Sequence, residues 1–417
     1  MSPLEKNLSK ELKKCRVCGN AKLTRYLDLG HTPLANSFIT KNDLERQEDK
    51  FPLRVVLCEE CYLSQLDVVV NPEVLFKNYV YRSSISKSFQ EHCRNLAEEL
   101  NNCGLVNKNS LIVDIASNDG TLLKQFKERN KVLGVEPATN IGKIANESGI
   151  KTVEEFWNEN TAKRILKEYG KAKVITAFNV FAHVDDIHSF VKGIKILLDK
   201  DGYFIMECPH LLKLIEKVEF DTIYHEHLSY FLAKPLQKIM ELHNMRVAKI
   251  EEFEMHGGSI RVYVEHKERS DRSNNSMQNV IFKEERAGLY NKKIYLDFSE
   301  KVKKIKETLV NIISNLKKEG KVIAGFGASA KGNTLLNYSN INNHLIDYIL
   351  DATPEKQEKW TPGMHIPVIH SNQLMERKPH YLLLLAWNFA IEIMDKTKPY
   401  KNQGGKYIIP VPKVSVI

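Results

Sequence analysis

The chain has 417 residues, of which 42% are hydrophobic, so it is expected to form two or three globular domains. Its first residues are polar and charged, and it has no stretch near the ~20 uncharged apolar residues of a membrane span, which argues against a secretory signal or a membrane partner. The net charge of +9 comes largely from lysines mixed with glutamates, as in 301–318, a pattern typical of solvated helices rather than of a nucleic-acid interface. We therefore expect a cytoplasmic protein that binds no nucleic acid and whose charge is compatible with an anionic small substrate.

Two Cys-x-x-Cys pairs near the start of the chain predict a metal site. Cys15 pairs with Cys18, and Cys58 pairs with Cys61. Four thiolates fill a tetrahedral coordination sphere, so the expected ion is a structural Zn²⁺ rather than a catalytic one. Zinc ribbons occur both in RNA-binding proteins and in enzymes, so this module does not by itself assign a function.

The region from position 110 alternates between strand and helix patterns. The apolar run SLIVDIA contains Asp114 near its end, and an amphipathic stretch predicted to be helical starts at Thr121. The second apolar run, KVLGVEP, places Glu136 at its carboxyl end. This arrangement is typical of a Rossmann-like nucleotide site, in which the acid that ends the second strand accepts hydrogen bonds from the ribose hydroxyls.

The turn between these two strands distinguishes between cofactors. It reads Ala116-Ser117-Asn118-Asp119-Gly120 and lacks the G-x-G-x-x-G of dinucleotide sites. A turn that has no phosphate to bind favours S-adenosylmethionine over NAD. Asparagine and aspartate tolerate the left-handed backbone that such a turn needs. The alternative is an α/β domain whose short turn binds nothing.

A predicted strand at 174–184 carries Asn179-Val-Phe-Ala-His183. Methyltransferases that modify the exocyclic nitrogen of DNA or RNA bases usually have Asn-Pro-Pro-Tyr or Asp-Pro-Pro-Tyr here. The difference argues against nitrogen methylation and leaves His183 facing the expected methyl-transfer site.

Two later segments concentrate histidine and tyrosine. IYHEHLSYF at 223–231 contains Tyr224, Glu226 and His227, and HGGSIRVY at 256–263 adds His256, Ser259 and Arg261. A His-x-His with nearby acids is compatible with a metal site. Removal of a proton from the carbon next to a ketone needs a base whose pKa is near neutrality, which histidine provides, and the resulting enolate needs hydrogen-bond donors. We favour catalysis, because the four cysteines already account for a metal.

The last third of the chain begins with apolar residues at helical spacing from Phe298 to Leu316, which predict a helix that packs between domains. The segment that follows, KVIAGFGASAKGNTLLNY, repeats the strand–turn–helix pattern with Gly325-x-Gly327-x-x-Ala330. This motif is compatible with either a ligand site or a purely structural turn.

The series of motifs resembles the sugar C-methyltransferases of deoxysugar biosynthesis over nearly the whole chain. The series consists of the two cysteine pairs, NYVYRSS, DIASNDG, NVFAHV, IYHEH, HGGSIRVY, DATPEKQ, TPGMHIPV, LAWNFA and GGKYIIPVP. The family's first turn usually reads Glu-Ile-Gly-Ser-Asn-Asp-Gly, so Asp114 and Ala116 depart from it, and the methyl group of Ala116 is expected to crowd the cofactor.

The resemblance implies a role for each site residue. His227 is the expected general base, and the other expected catalytic residues are Tyr224, Glu226, His183, Tyr79 and Tyr81. The expected S-adenosylmethionine contacts are Asp114, Ala116, Ser117, Asn118, Gly120, Glu136 and Asn179. The expected substrate contacts are His256, Ser259, Arg261, Gly327, Ser329, Lys331 and Asn333, and the last four are expected to lie near the pyrophosphate.

The resulting prediction is an α/β protein of three parts. A zinc-binding module at 1–75 precedes an S-adenosylmethionine-dependent methyltransferase domain at 76–290 and a C-terminal Rossmann-like domain at 291–417. The predicted activity is methylation, at C-3, of a 4-keto sugar linked to thymidine diphosphate, by a monomer or small homo-oligomer. A zinc-ribbon RNA methyltransferase and a catalytically silent adenosylmethionine-binding protein are the alternatives.

Overall fold

The computed structural model describes residues 8–76, 82–254, 257–269 and 275–417. Within these residues the strands form sheets of four, seven and six strands and one two-stranded ribbon. Helices cover the two larger sheets, as expected for open sheets that are mostly parallel. The predicted α/β class, with a small cysteine-containing module before two Rossmann-like sheets, is confirmed.

The N-terminal module is antiparallel. Its strands are β1 (Ser9–Glu11), β2 (Leu23–Thr32), β3 (Phe51–Cys58), β4 (Ser64–Leu66) and β5 (Val68–Val70), and the short helix α1 (Pro72–Phe76) follows. Strands β2, β3 and β4 are neighbours in the four-stranded sheet, and β1 pairs with β5. The fourth strand of the sheet comes from far along the chain, because β11 (Ser229–Tyr230) pairs with β4. The N-terminal module and the central region therefore share one sheet.

The central sheet has seven strands in the order β12-β13-β10-β9-β6-β7-β8. These strands are β6 (Leu111–Ile115), β7 (Lys131–Val135), β8 (Thr152–Val153), β9 (Ala172–Phe178), β10 (Leu198–Pro209), β12 (Met245–Phe253) and β13 (Ser259–His266). All pairs are parallel except those that involve β13. Strand β6 lies between β7 and β9, so the strand order reverses beside it. In open α/β sheets the ligand binds at the carboxyl ends of the strands next to such a reversal.

Seven helices described in the central region flank this sheet. They are α2 (Lys87–Asn102), α3 (Thr139–Glu147), α4 (Glu159–Tyr169), α5 (Ile187–Leu197), α6 (Leu211–Glu216), α7 (Ala233–Leu242) and α8 (Ser276–Arg286). Helix α2 begins at a serine cap, in which the Ser86 side chain accepts a hydrogen bond from the Phe89 amide. It buries Cys93, Leu96 and Leu100 against the sheet.

Two sequence-based expectations in this region are wrong. The amphipathic stretch from Thr121 forms a 3-10 turn at Leu123–Gln125 rather than an α-helix. Leu122, Leu123 and Phe126 are all buried, and the tighter i→i+3 bonds allow these closely spaced residues to point into the same core. The predicted strand at 174–184 ends at Phe178, because Asn179 has the positive φ of 57° that turns the chain out of the sheet.

The C-terminal region repeats the doubly wound arrangement in a sheet of order β16-β15-β14-β17-β18-β19. Its strands are β14 (Ile323–Phe326), β15 (Tyr348–Asp351), β16 (Val368–His370), β17 (Tyr381–Leu384), β18 (Lys406–Ile409) and β19 (Ser415–Val416). Its helices are α9 (Lys292–Lys318), α10 (Ala330–Ser339), α11 (Leu374–Arg377), α12 (Ala390–Lys396) and α13 (Lys398–Asn402). As predicted, α9 buries one apolar face, which includes Phe298, Val302 and Leu309.

The N-terminal module contacts the C-terminal region through the loop after β2. The Ile39 amide donates to the Trp360 carbonyl at 2.9 Å, and the Asn333 side chain donates to the Ala35 carbonyl at 2.7 Å. One continuous apolar core contains Leu57 of this module, Ile223 of the central region and residues of α10. The three parts of the chain therefore pack against each other around the segment that contains the histidine-rich motif.

Candidate active site and zinc centre

The four predicted zinc ligands converge on one point. Their Sγ atoms all lie within 4.8 Å of one another, with Cys15 3.4 Å from Cys61 and Cys18 3.5 Å from Cys58. Tetrahedral zinc with Zn–S bonds of about 2.3 Å requires sulfurs roughly 3.8 Å apart, so the four thiolates fit this ion.

Each cysteine pair is held by the same kind of turn. The Gly19 amide donates to the Cys15 carbonyl, and the Tyr62 amide donates to the Cys58 carbonyl, both at 3.0 Å. Gly19 and Tyr62 both have a positive φ, of 72° and 63°. The repeated turn aims the sulfurs of both pairs at the same point, and a fifth ligand would find no vacant position in this closed sphere.

The predicted cofactor turn follows β6 and has a left-handed backbone at three positions. The φ angles of Ala116, Asn118 and Gly120 are 50°, 51° and 76°. Ser117 lies between them, and its hydroxyl is buried with no hydrogen-bond partner among the described residues. This hydroxyl packs against β7, because a methyl group on Gly134 would lie 2.5 Å from the Ser117 oxygen.

Glu136 ends β7, as predicted, and holds this turn in place. One of its carboxylate oxygens accepts from the Asn118 amide and the other from the Ala138 amide, both at 2.8 Å. Burial raises the pKa of Glu136. The buried Asp114 accepts a hydrogen bond of 2.6 Å from the Thr176 hydroxyl, and burial raises its pKa to about 7. Glu136 therefore lies where its carboxylate would meet the ribose diol of a ligand bound at this turn.

The segment before α2 closes over the same turn. The Ser83 amide donates to the Asn118 side chain at 2.9 Å, and the Ser84 amide donates to Asp119 at 3.1 Å. Tyr79 and Tyr81, which were predicted to line the cavity, lie outside the described residues, as does His256.

Asn179 and His183 lie at the carboxyl end of β9. The Asn179 amide donates to the Glu207 carbonyl at 2.8 Å, which fixes the turn after this strand. The His183 ring stacks on Phe76 and on His227, with centroid distances of 5.7 and 5.0 Å. Burial lowers the pKa of His183 to about 4, so its imidazole is neutral at physiological pH.

His227 lies beside His183 and Tyr224. The Tyr224 and His227 ring centroids are 4.0 Å apart. His227 Nδ1 lies 2.7 Å from the Thr222 carbonyl oxygen, which can only accept, so Nδ1 carries the proton. In the neutral imidazole the lone pair is then on Nε2. The structure therefore brings three of the predicted catalytic residues together, with His227 held as the tautomer protonated on Nδ1.

The fourth, Glu226, is buried and points towards the N-terminal module. Its carboxylate accepts a hydrogen bond of 2.6 Å from the Asn36 side chain. Asn36 was not predicted, because it belongs to a loop without a recognisable motif, 190 positions before its partner. It links the histidine-rich segment to the same loop that binds Asn333.

Ser259 and Arg261 are buried on β13. The Arg261 guanidinium donates to Glu207 at 2.6 Å and lies 2.9 Å from His92 Nε2, while His92 is also 2.7 Å from Glu207. Glu207 and His92 were missed because neither stands in a recognisable motif. This buried charge network anchors α2 to the central sheet, and its place as a substrate contact remains a prediction.

The residues predicted to bind pyrophosphate lie at the start of α10. The Ser329 side chain caps this helix through the Gly332 amide, and Gly327 has a positive φ of 88°. A methyl group on Gly327 would lie 2.9 Å from the Ala386 side chain, so this turn requires glycine. Asp351 ends β15 and accepts from the Ala328 amide at 2.6 Å. Its position matches that of Glu136 in the central sheet, and this correspondence is the signal that would have identified it.

Lys331 points into a buried interface rather than into open solvent. Its Nζ lies 3.9 Å from a carboxylate oxygen of Glu219 and 5.3 Å from the centroid of the Trp387 ring. The Trp387 indole donates to Asp221 at 2.6 Å. Burial raises the pKa of both Glu219 and Asp221. The cation therefore compensates two acids at the junction of the central and C-terminal regions.

Three family models match the chain. A C-methyltransferase C-terminal domain matches residues 254–412, a methyltransferase domain matches 87–250 and a zinc binding domain matches 15–76. The C-methyltransferase NovU of Streptomyces niveus is 33% identical over 413 residues, which cover 99% of this chain and 98% of that protein. The chain belongs to the C-methyltransferase family. The family predicted from the motifs is thereby confirmed, and the domain matches and the cysteine cluster confirm S-adenosylmethionine and zinc as its cofactors.

Two solved methyltransferase structures are similar to part of the chain. The magnesium protoporphyrin IX methyltransferase of Synechocystis PCC 6803 with bound SAM has a TM-score of 0.32 and 12% identity, over 42% of this chain and 79% of that one. A SAM-dependent methyltransferase from Anabaena variabilis has a TM-score of 0.33 and 17% identity, over 42% and 84%. In the described part of this chain, no helix is long and apolar enough to cross a membrane.

Proposed function

We propose that this C-methyltransferase acts on a keto sugar carried by a nucleotide, most simply at C-3 of a 4-keto sugar linked to thymidine diphosphate. The observation that carries the proposal is the state of His227. The bond from its Nδ1 to the Thr222 carbonyl selects the neutral tautomer whose basic nitrogen is Nε2, and the ring lies beside Tyr224 and the neutral His183. A sugar carbon becomes a nucleophile only after it loses a proton, and an adjacent ketone makes that proton acidic.

The proposed mechanism starts with proton transfer to His227 Nε2. As the proton leaves, negative charge develops on the ketone oxygen and needs hydrogen-bond donors held in position. Tyr224 lies next to His227, with the two rings tilted by 37°, and is the proposed donor, together with the tyrosines at 79 and 81. Because burial lowers the pKa of His183 to about 4, the His183 imidazole is neutral and weakly basic, so it neither repels the transferred proton nor competes for it. His227 therefore accepts the proton as the one basic imidazole of the stack.

S-adenosylmethionine, when bound, supplies an electrophilic methyl carbon. The proposed contacts in the first turn are Ser117 and Asn118, with Glu136, which binds the Asn118 amide, for the ribose. Asn179, at the end of the adjacent strand β9, is a further proposed contact. The remaining proposed contacts are Asp114, Ala116 and Gly120.

The C-terminal region is the proposed site of the nucleotide. Its sheet reverses order beside β14, as the central sheet does beside β6, and the glycine turn at 327 lies at this reversal. Ser329, Lys331 and Asn333 lie on the first turn of the helix that follows. We keep the division into 1–75, 76–290 and 291–417 as part of this proposal, with the methyl donor in the second part and the nucleotide in the third.

The test is mass spectrometry of nucleotide sugars after incubation with S-adenosylmethionine. A panel of 4-keto sugars linked to thymidine, guanosine and uridine diphosphate is offered, and the sugar fragment is expected to gain one methyl group. A lack of gain on every member, with S-adenosylmethionine binding established by equilibrium dialysis, would contradict the proposed substrate class.

The matched variant is His227→Asn, because the asparagine side chain keeps a hydrogen-bond donor near Thr222 and lacks a basic nitrogen. We expect turnover to fall by about 10²-fold or more while the Kd for S-adenosylmethionine stays within twofold. A variant that turns over at the wild-type rate would show that His227 is not the base.

A further inference from the structure

Arg16 lies inside the first zinc turn, between Cys15 and Cys18, yet its side chain points away from the metal site and towards the histidine-rich segment. Only 1% of the side chain is exposed. Its NH1 group donates to two carbonyl oxygens, that of Leu66 at 2.9 Å and that of Leu228 at 3.0 Å. Leu228 is the residue that follows His227, so the guanidinium is bonded directly to the backbone that carries the proposed base.

The same backbone unit is held from two further directions. The Leu228 carbonyl accepts a second bond, of 2.9 Å, from the Leu66 amide, and the Leu228 amide donates to the Ala182 carbonyl at 2.8 Å. Ala182 precedes His183, whose ring stacks on His227. Leu228 therefore links the backbone segments of both histidines, and Arg16 binds the carbonyl oxygen of the same residue.

Arg16 also reaches the histidine at 183 by a second route. Its Nε lies 3.4 Å from a carboxylate oxygen of Asp185, two residues after His183. Lys10 contacts the same aspartate at 2.5 Å, but the Lys10 side chain is 62% exposed. Arginine is not deprotonated in proteins, so the buried guanidinium is charged. A buried charge with three anchoring partners fixes geometry, whereas an exposed lysine on the same carboxylate contributes little.

We propose that Arg16 is a positioning residue for the methyl-transfer reaction, which sets the register of His227 against His183 by holding the Leu228 carbonyl and Asp185 together. The inference rests on the proposed function where its test measures kcat. Where its test measures the NMR signals of His227, it rests on the geometry of His227 alone. It assigns to the zinc turn a task in the active site, since the two cysteines beside Arg16 fix the backbone from which the guanidinium extends.

The test compares Arg16→Met with Arg16→Lys, Asp185→Asn and the control Lys10→Met. In Arg16→Met we expect kcat to fall at least tenfold while the KM and Kd for S-adenosylmethionine stay within twofold, because a misplaced base slows proton transfer without touching the cofactor site. Arg16→Lys and Asp185→Asn should fall between Arg16→Met and wild type, since each keeps part of the contact set. Lys10→Met should stay within twofold of wild type.

The second readout is the imidazole of His227 in ¹⁵N-histidine-labelled protein, assigned with His227→Asn. Wild type should show one tautomer with the proton on Nδ1, and Arg16→Met should show averaged nitrogen shifts, because the bond to Thr222 loosens when Leu228 moves. This signal needs no acceptor, so it separates failure of the inference from failure of the proposed substrate. Unchanged His227 signals with kcat within twofold of wild type would overturn the inference. If Arg16→Met loses zinc or does not fold, the inference is tested with Arg16→Lys and Asp185→Asn. Wild-type His227 signals and a wild-type kcat in both of these variants would overturn the inference.

Discussion

His225 lies between Tyr224 and Glu226 in the sequence. Its burial predicts that the free energy of unfolding depends on pH, by an amount that follows from its surroundings. The residue is only 2% exposed, and its ring packs edge-on against Phe51 with centroids 5.8 Å apart. Burial lowers its pKa from 6.5 to about 4, although backbone groups of Phe51 and Pro52 favour the charged form. The native imidazole is therefore neutral at a pH where the unfolded imidazole is charged.

The sign of the effect follows from this difference. The unfolded state binds a proton near pH 6.5 and the native state only near pH 4, so acid favours unfolding. The stability is complete above pH 6.5 and is lost as the pH falls towards 4. Between pH 7 and pH 5 this one group should remove about 2 kcal/mol from the free energy of unfolding.

The perturbation is His225→Gln, which removes the titration. Urea unfolding at pH 7 and pH 5 is followed by the fluorescence of the three tryptophans. One of them, Trp387, donates a hydrogen bond to Asp221, four positions before His225. The wild type should lose about 2 kcal/mol more than the variant over this range. His183, whose pKa is also lowered, is present in both proteins, so its contribution cancels.

The control is His344→Gln, because His344 is exposed and meets water in both the folded and the unfolded state. This variant should lose the same stability as wild type between pH 7 and pH 5. Equal losses in wild type and His225→Gln would refute the reasoning, since His225 would then take up its proton without unfolding.

Three other outcomes are expected. Removal of zinc by a chelator should abolish the hydrogen-exchange protection of the backbone amides in residues 8–70, because a closed four-cysteine site couples metal binding to folding. Loss of activity while these amides stay protected would contradict this. Ala116→Gly should raise the free energy of unfolding by about 1 kcal/mol at most, because it relieves a left-handed alanine but increases the entropy of the unfolded chain. The same variant should bind S-adenosylmethionine more tightly in calorimetry. Weaker binding would show that the methyl group does not crowd the cofactor. Lys331→Met should raise the KM for the nucleotide sugar by about tenfold or more, as expected for loss of a charged hydrogen bond to the substrate. An unchanged KM would show that Lys331 acts only through its contact with Glu219 and does not bind the substrate.

Features set by short stretches of chain were predictable. The cluster of four cysteines follows from the spacing of two Cys-x-x-Cys pairs. The left-handed turn after β6 follows from a strand, turn residues that tolerate a positive φ and an acid at the next strand end. In these cases the partners are close in sequence or belong to a recurrent unit, so the pattern contains the geometry. The burial of one face of α9 follows in the same way from its 3.6-residue period.

Features set by distant contacts were not predictable. Arg16 binds the Leu228 carbonyl 212 positions away, and Asn36 binds Glu226 190 positions away. No composition or periodicity marks either residue, because each acts through where the fold brings it. The expected helix after Thr121 failed for a related reason, since the burial of Leu123 and its neighbours depends on the surrounding core rather than on local propensity.

The shared sheet of the N-terminal module has a consequence for biosynthesis. Strand β4 has β3 on one side, and its other neighbour, β11, is translated about 160 positions later. At 5–20 residues per second, the edge of β4 stays open for roughly 8 to 30 s on the ribosome. An open edge is a template for pairing with other chains, so a fragment that stops before Ser229 is expected to aggregate even with its zinc in place. The sheet of the cysteine module is thus completed only by a strand that is made well after the module itself.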